Sequence, residues 1–260
     1  MLVNPNSGPG GAVKRWTQEV KPLFRAARLE MEVIVLTRGG EATDLVEKMD
    51  IDKYDAVIPC SGDGTPHEVF NGLGKRKDAQ EALRKIAVGH IPCGSGNALS
   101  WNLYGSNKAD LAALGIIKGV VTPIDLTSIT QGSRRTLSFL SQAVGIIAES
   151  DLATEHMRWM GATRFEVGLV MRVFQRKCYP CDLAVKVEVE DKADVKAHYK
   201  RHIKDEPLVE MNGHHEEQVE GLPALKYGSV EDKLPEGWEL LPEDKIGNFY
   251  CGNVSLLPFK

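Results

Sequence analysis

The stretches Ile58-Pro59-Cys60-Ser61-Gly62 and Ile91-Pro92-Cys93-Gly94-Ser95 repeat one design, an apolar strand end opening into a glycine-rich turn and then a helix. This echo constrains the fold more than any other feature. Strands that are each followed by a helix return parallel to one another, and their outgoing turns line up on the carboxyl edge of one sheet. That edge is where open α/β sheets bind ligands. The alternation extends to about residue 123. Apolar β-branched runs predict strands over residues 31–37, 54–60 and 84–93. Val13, Trp16, Val20 and Phe24 recur at helical spacing, and further helices are expected over 42–49, through Phe70 and Leu73, and after Asn97.

Beyond Pro123 the texture changes. A hairpin followed by a helix is expected up to Phe165, and residues 181–190 alternate in period two like a half-exposed antiparallel strand. Residues 191–245 are highly charged and carry Pro207, Pro223, Pro235 and Pro242, which reads as a polar insertion. Residues 245–257 return to strand. The fold class expected is a three-layer α/β domain with a parallel sheet over residues 1–123, then an antiparallel β-rich sandwich domain over 124–260. Its charged insertion spans about 191–245. A chain of 260 residues suffices for two such domains.

Composition narrows the classes further. The formal charge of −4, from 32 basic and 36 acidic residues, leaves no basic footprint for nucleic acid. Five scattered cysteines argue against a secreted disulfide framework and for a reducing, cytoplasmic setting. The longest apolar stretches, residues 111–121 and 139–148, are far short of the ~20 residues needed to span a bilayer. Cys178 and Cys181 have zinc-like spacing but no second pair nearby, so no metal ligand is assigned.

A glycine turn feeding a helix presents unpaired backbone N–H groups and a positive dipole end, which suits phosphate. Such turns occur at residues 4–11, 61–64 and 94–97. Together they point to a polyphosphate pocket, although neither a Walker-type P-loop nor a dinucleotide fingerprint is present. Asp63 stands out, since a carboxylate repels the phosphates its neighbours attract. It is either a cap for the helix beginning at Thr65-Pro66, a general base, or an acid that holds Mg2+. The residues leave these readings near even.

"SGDGTPHEVFNGL", "PCGSGNALS" and "NPNSG" resemble the nucleotide-site motifs of the diacylglycerol kinase catalytic-domain superfamily. Within it the chain is most similar to sphingosine (long-chain base) kinases, through "SFLSQAVGIIAESDLATEHMRWMGATRFEVG" and over roughly residues 2–190. The resemblance implies an ATP- and Mg2+-dependent lipid kinase that phosphorylates the primary hydroxyl of a sphingoid base. Its nucleotide would sit on the first domain, its lipid on the second, and its active site in the cleft between them. Asp63 would be the catalytic base. Asn4, Ser7, Gly8, Thr37, Ser61, Gly62, Gly64, Gly94, Ser95, Gly96 and Asn97 would surround ATP, with Glu68 ordering the site. Arg158 and Arg164 would hold phosphates. Asp151 would meet the substrate ammonium, with Ser141 near the lipid headgroup. Without the resemblance, Asp151 reads as a helix N-cap with Leu152 onward helical. Peripheral association with intracellular or plasma membranes is implied in the same way.

Two departures from the family pattern matter. Arg38-Gly39-Gly40-Glu41-Ala42 lacks a His before the alanine, and no Asp-Gly-Glu type segment precedes Lys260. Both ends of the chain read as cut, and the β-rich domain as incomplete. The alternatives are the same chemistry on diacylglycerol or ceramide, which Asp151 would discriminate, or, because the acidic C-terminal segment is missing, a nucleotide- or lipid-binding pseudokinase.

Overall fold

In the computed structural model the described residues are 1–160, 163–175, 178–205, 220–243 and 245–253. The chain opens with β1 (Leu2–Val3) and a continuous helical run made of α1 (Ala12–Arg15), a π-type segment (Trp16–Val20) and α2 (Lys21–Ala26). β2 (Ile34–Val35) and α3 (Glu41–Lys48) follow, then β3 (Ala56–Val57), β4 (Pro59–Ser61), α4 (Gly64–Gly74) and α5 (Ala79–Lys85). β5 (Ala87–Val88), β6 (Ile91–Pro92), α6 (Ala98–Tyr104) and α7 (Ala109–Lys118) complete the alternating part.

The strands form a parallel sheet in the order β2-β1-β4-β6, with β3 and β5 paired alongside. The bond from Gly89 N–H to Val57 O (3.2 Å) and that from Cys93 N–H to Ser61 O (2.7 Å) carry the pairing past the ends of both ladders, so β3–β4 and β5–β6 each act as one strand. The regular ladders are shorter than the apolar runs predicted, because pairing with β1 extends only over residues 34–36 and 58–60. Consecutive side chains leave on opposite faces. Val3, Ile58, Cys60, Ile91 and Cys93 pack under the first helical run and α7, where Trp16 and Phe24 meet edge to face at 6.1 Å. Leu2, Leu36 and Val57 pack on the other face against α3, α4 and α5. Two cores on one sheet make the three layers.

Because β1 has β2 on one side and β4 on the other, the strand order reverses at β1. The turns after β1 and β4 flank the resulting crevice. Pairing turns antiparallel after α7. β7 (Thr127–Gln131) and β8 (Arg134–Ser138) form a hairpin, and β9 (Ser141–Gly145) leads into α8 (Ile146–Ala153). A short 3-10 turn (Glu155–Met160) and α9 (Thr163–Gln175) come next, then β10 (Cys181–Val185), α10 (Lys192–Asp205), β11 (Glu239–Glu243) and β12 (Asn248–Gly252). The antiparallel half consists of three two-stranded ladders among the described residues, β7–β8, β9–β12 and β10–β11. β11 lies within the stretch read as an insertion and completes a ladder. Residues 206–219 of that stretch, like 254–257 of the last predicted strand, fall outside the described residues. Phe70 of α4 and Leu99 of α6 pack with Phe139, its ring 5.6 Å from that of Phe70, and this cluster fastens the antiparallel half onto both glycine-turn helices.

Candidate active site

The three glycine turns meet at the carboxyl edge of the sheet. A Cβ on Gly94 would stand 2.4 Å from the Gly62 Cα, and one on Gly8 would stand 2.7 Å from the Cys93 carbonyl oxygen. Only glycine permits backbones this close. Side chains knit the turns together. Ser7 Oγ accepts from Gly62 N–H at 3.3 Å, and Asn4 Nδ2 donates to Thr65 Oγ1 at 3.3 Å. Asn97, in the left-handed region at φ 60°, folds its amide back on Gly94, accepting from N–H at 2.7 Å and donating to O at 2.8 Å. Ser61 Oγ donates to Gly62 O at 2.8 Å. With these side chains engaged, backbone is left to face a ligand. The N–H groups of Gly8, Ser95 and Gly96 make no hydrogen bond among the described residues. Gly64, the first residue of α4, has open space where a Cβ would stand.

Asp63 sits at the start of α4 without capping it. Its carboxylate instead receives the N–H groups of Ala98 (2.9 Å, to Oδ2) and Leu99 (3.0 Å, to Oδ1), the first residues of α6. The cap expected for residues 65–66 is therefore a cap on the neighbouring helix, where a negative charge meets unpaired donors and the positive dipole end. Each oxygen accepts one bond and retains a lone pair. Ser95 and Gly96 stand just before the same helix.

Glu68 does the same for α3, accepting from Gly40 N–H at 3.0 Å and Ala42 N–H at 3.2 Å. Thr37 gives its hydroxyl to Glu41 at 2.9 Å, and its N–H joins the same carboxylate. Those two donations, and then the Arg38 N–H, hold the Glu41 carboxyl below the usual range. The 36–42 connection is thus ordered by two acids, its own Glu41 and Glu68 of α4.

Ser141, Asp151 and Arg164 lie in the antiparallel half. Ser141 opens β9 opposite Gly252, two positions after Phe139. Asp151 lies within α8 near its C-terminal end, so it is not the N-cap that its local sequence suggested. Arg164, only 7% exposed, donates Nη2 to Asp151 Oδ1 at 2.5 Å and Nη1 to Asp151 O and Thr154 Oγ1 at 3.1 and 3.2 Å. Its guanidinium also stacks on the Phe165 ring at 4.1 Å. α8 and α9 approach closely enough for this because Gly168 faces Ser150 O. The structure pairs Arg164 with Asp151. Arg158 lies in the 3-10 turn, and its side chain is outside the described residues.

The sequence reading passed over His90. It is fully buried, and its Nε2–H donates to Ser61 O at 2.9 Å, the carbonyl at the foot of the second glycine turn. Burial pushes its pKa below the ordinary value, against the opposing pull of the Asp63 charge and the Ser61 carbonyl. Its position, three residues before Cys93 in the echo, was the available signal.

The model of the family described as diacylglycerol kinase catalytic domain matches residues 1–129. "Sphingoid long chain base kinase 5" of Saccharomyces cerevisiae is 44% identical over 206 residues, covering 78% of this chain and 30% of that protein. "Sphingoid long chain base kinase 4" of Schizosaccharomyces pombe is 38% identical over 212 residues, covering 82% of this chain and 46% of that protein. The chain thus spans less than half the length of either relative. A crystal structure of a diacylglycerol kinase from Bacillus anthracis str. Sterne superposes with a TM-score of 0.53 at 23% identity, over 71% of this chain and 57% of that one, and shares the fold. The motifs, the fold and these similarities agree: the chain belongs to the diacylglycerol kinase catalytic-domain superfamily, among the relatives of the sphingoid long-chain base kinases.

Proposed function

We propose that the chain forms the nucleotide site and the headgroup-recognition elements of an ATP-dependent lipid kinase, whose acceptor is the primary hydroxyl of a sphingoid base. One observation carries this reading. Three glycine turns converge on one sheet edge, with a carboxylate held between them by the N-terminus of α6. The uncommitted N–H groups of Gly8, Ser95 and Gly96 fit the phosphates of ATP, which supplies the transferable phosphoryl group. Asn4, Ser7, Ser61, Gly62, Gly64 and Asn97 shape that cradle; Thr37 and Glu68 order its flank.

Asp63 would accept the proton of the attacking hydroxyl on the lone pair that its helix bonds leave unused. Mg2+, as the kinase reading implies, would be held by the ATP phosphates and water together with a carboxylate of this edge. Asp151 has 54% of its side chain accessible and one oxygen fixed by Arg164, which leaves the other for a substrate ammonium. Arg164 in this reading first sets that carboxylate, and with Arg158 it remains a candidate phosphate clamp. In this reading the reaction would take place at a cytoplasmic membrane face, by peripheral contact. Support comes from the exposed Leu152, Val170, Met171, Val173 and Phe174 on α8 and α9. Among the described residues no helix is long and apolar enough to cross a membrane. The division at residue 123/124 is proposed as the boundary between nucleotide and lipid halves.

The test measures phosphate transfer from ATP–Mg2+ to sphingosine, diacylglycerol and ceramide by this chain and by Asp63→Asn. Transfer to sphingosine is expected, reduced by about 10²–10⁴ in the variant. Equal rates would remove Asp63 from its role. A preference for a neutral lipid would remove the ammonium from Asp151.

A further inference from the structure

The two cysteines of the Ile-Pro-Cys echo occupy equivalent ends of adjacent parallel strands, and the site reading leaves both unused. Their side chains leave on the same face of the sheet, in the same core, with Sγ atoms 3.5 Å apart. Cys60 also reaches the Ala12 carbonyl, through a 3.6 Å contact, so its thiol has two acceptors within reach. Arg15 donates to Pro92 O at 2.9 Å and sits beside Cys93. Each cysteine immediately precedes a glycine turn: Cys60 leads into Ser61-Gly62, Cys93 into Gly94-Ser95. Above them the Gly62 and Gly94 backbones are already in contact, and the Cys93 carbonyl abuts Gly8.

We infer that Cys60 and Cys93 are a redox-modifiable dithiol beneath the phosphate turns, oxidised to a disulfide by a small hydroperoxide, and that the bond disables the turns. The consequence for nucleotide rests on the functional reading above; the bond itself does not. The charge distribution assigns the order of events. The hydrogen bond shared with Cys60, and then the Arg15 charge, pull the Cys93 thiol below its ordinary range against its burial. That same bond and burial push Cys60 up. Cys93, 3% exposed where Cys60 is 0% and with the Arg15 guanidinium on the adjoining Pro92 carbonyl, is the attacking thiol and Cys60 the resolving one. Cys93 Sγ attacks a peroxide oxygen; an S–O bond forms, the O–O bond breaks, and hydroxide leaves to be protonated to water. Cys60 Sγ then attacks the Cys93 sulfenic sulfur, forming S–S as S–O breaks, and the Cys60 proton departs with the second water. Two thiols lose two electrons and one hydrogen peroxide becomes two waters.

Bonded sulfurs lie about 2.05 Å apart, so the two strand ends must shift or rotate. The turns above cannot absorb this by closing further, because Gly62 and Gly94 are already at contact. Displacement falls on the backbone that holds Asp63, Ser95 and Gly96.

The experiment uses the full chain with Cys178, Cys181 and Cys251, all exposed, changed to serine so that only the buried pair remains. The folded protein is treated with hydrogen peroxide, digested without reduction and examined by mass spectrometry, while ATP–Mg2+ affinity is measured by calorimetry. A peptide linking Cys60 to Cys93 is expected, with ATP affinity reduced at least about tenfold and restored by dithiothreitol. The same protein carrying Cys60→Ser, or Cys60→Ala should serine not be tolerated, is expected to form no link and to keep its affinity under peroxide. Absence of the linked peptide overturns the dithiol. A link that leaves ATP affinity unchanged overturns the switch. If the reduced protein binds no ATP, the kinase reading falls, while the mass measurement still decides the pair.

Discussion

Asn71 and Leu137 exchange two hydrogen bonds of 2.9 Å, the Asn71 amide donating to the Leu137 carbonyl and accepting from its N–H. Asn71 belongs to the helix that starts at Asp63's turn, and Leu137 to the first antiparallel hairpin. One side chain thus reads the backbone of the other half as a neighbouring strand would. Asn71→Ala strands a part-buried donor and acceptor on Leu137, which costs about 1–3 kcal/mol. We expect a lower Tm, ATP affinity within about twofold of the parent, and reduced transfer to lipid. Calorimetry and a transfer assay check it; an unchanged Tm would mean water replaces the amide.

The close approach of Gly94 to Gly62 separates two alanine substitutions. Gly94→Ala drives a Cβ into backbone that cannot yield and should cost about 1–3 kcal/mol or more. Gly64→Ala meets open space and has no positive φ to strain, so its Tm should hold or rise slightly. If Gly64 lets phosphate approach the backbone, ATP affinity falls in that stable variant. Thermal melts beside nucleotide titrations distinguish these outcomes.

Glu68→Gln removes the charge from the acceptor that holds the start of α3. A loss of about 1 kcal/mol is expected from the weakened cap. Hydrogen exchange at Gly40 and Ala42 reports it directly, and unchanged protection there would show that α3 is held by its core contacts alone.

Two histidines make stability pH-dependent. Burial is the main cause that lowers the pKa of His90 and of His67 from the ordinary 6.5. Below that value the unfolded chain binds more protons than the folded one. Their contribution to stability is therefore complete above about pH 6.5 and declines as pH falls toward the folded-state values. Tm should drop between about pH 7.5 and 5.5, with a shallower slope in His90→Gln. Equal slopes in both proteins would place the dependence elsewhere.

Asp151→Ala removes the half-exposed partner of a buried guanidinium. Arg164 would keep only the longer pair with Glu155 at 3.6 Å, so the loss should fall below the about 3–5 kcal/mol of a fully buried pair broken outright, the more so because Asp151 is accessible. Asp151→Asn keeps an acceptor for Arg164 and is the better probe of recognition. It should raise KM for sphingosine without changing KM for ATP. A change in ATP alone would reassign Asp151 to the nucleotide side.

Much of the nucleotide half was legible in residue order. Alternating apolar runs and glycine turns are local properties, set by strand and helix periodicity and by the backbone conformations glycine allows. They sufficed for a parallel three-layer architecture and for turns sharing one edge. The partners of individual side chains were not legible, because those partners are brought close only by the sheet order. Asp63 reads locally as a cap for its own helix, yet it caps a helix 35 residues away. Asp151 reads as an N-cap, yet it lies in the last turn of α8 and anchors Arg164. Cys60 and Cys93 hold matching places in the echo, but only parallel pairing sets their sulfur atoms side by side. Residue order alone determined where glycine lets the backbone turn and open at a sheet edge; the packing of distant segments decided which charges and thiols meet, since desolvation and hydrogen bonding act through space and not along the chain.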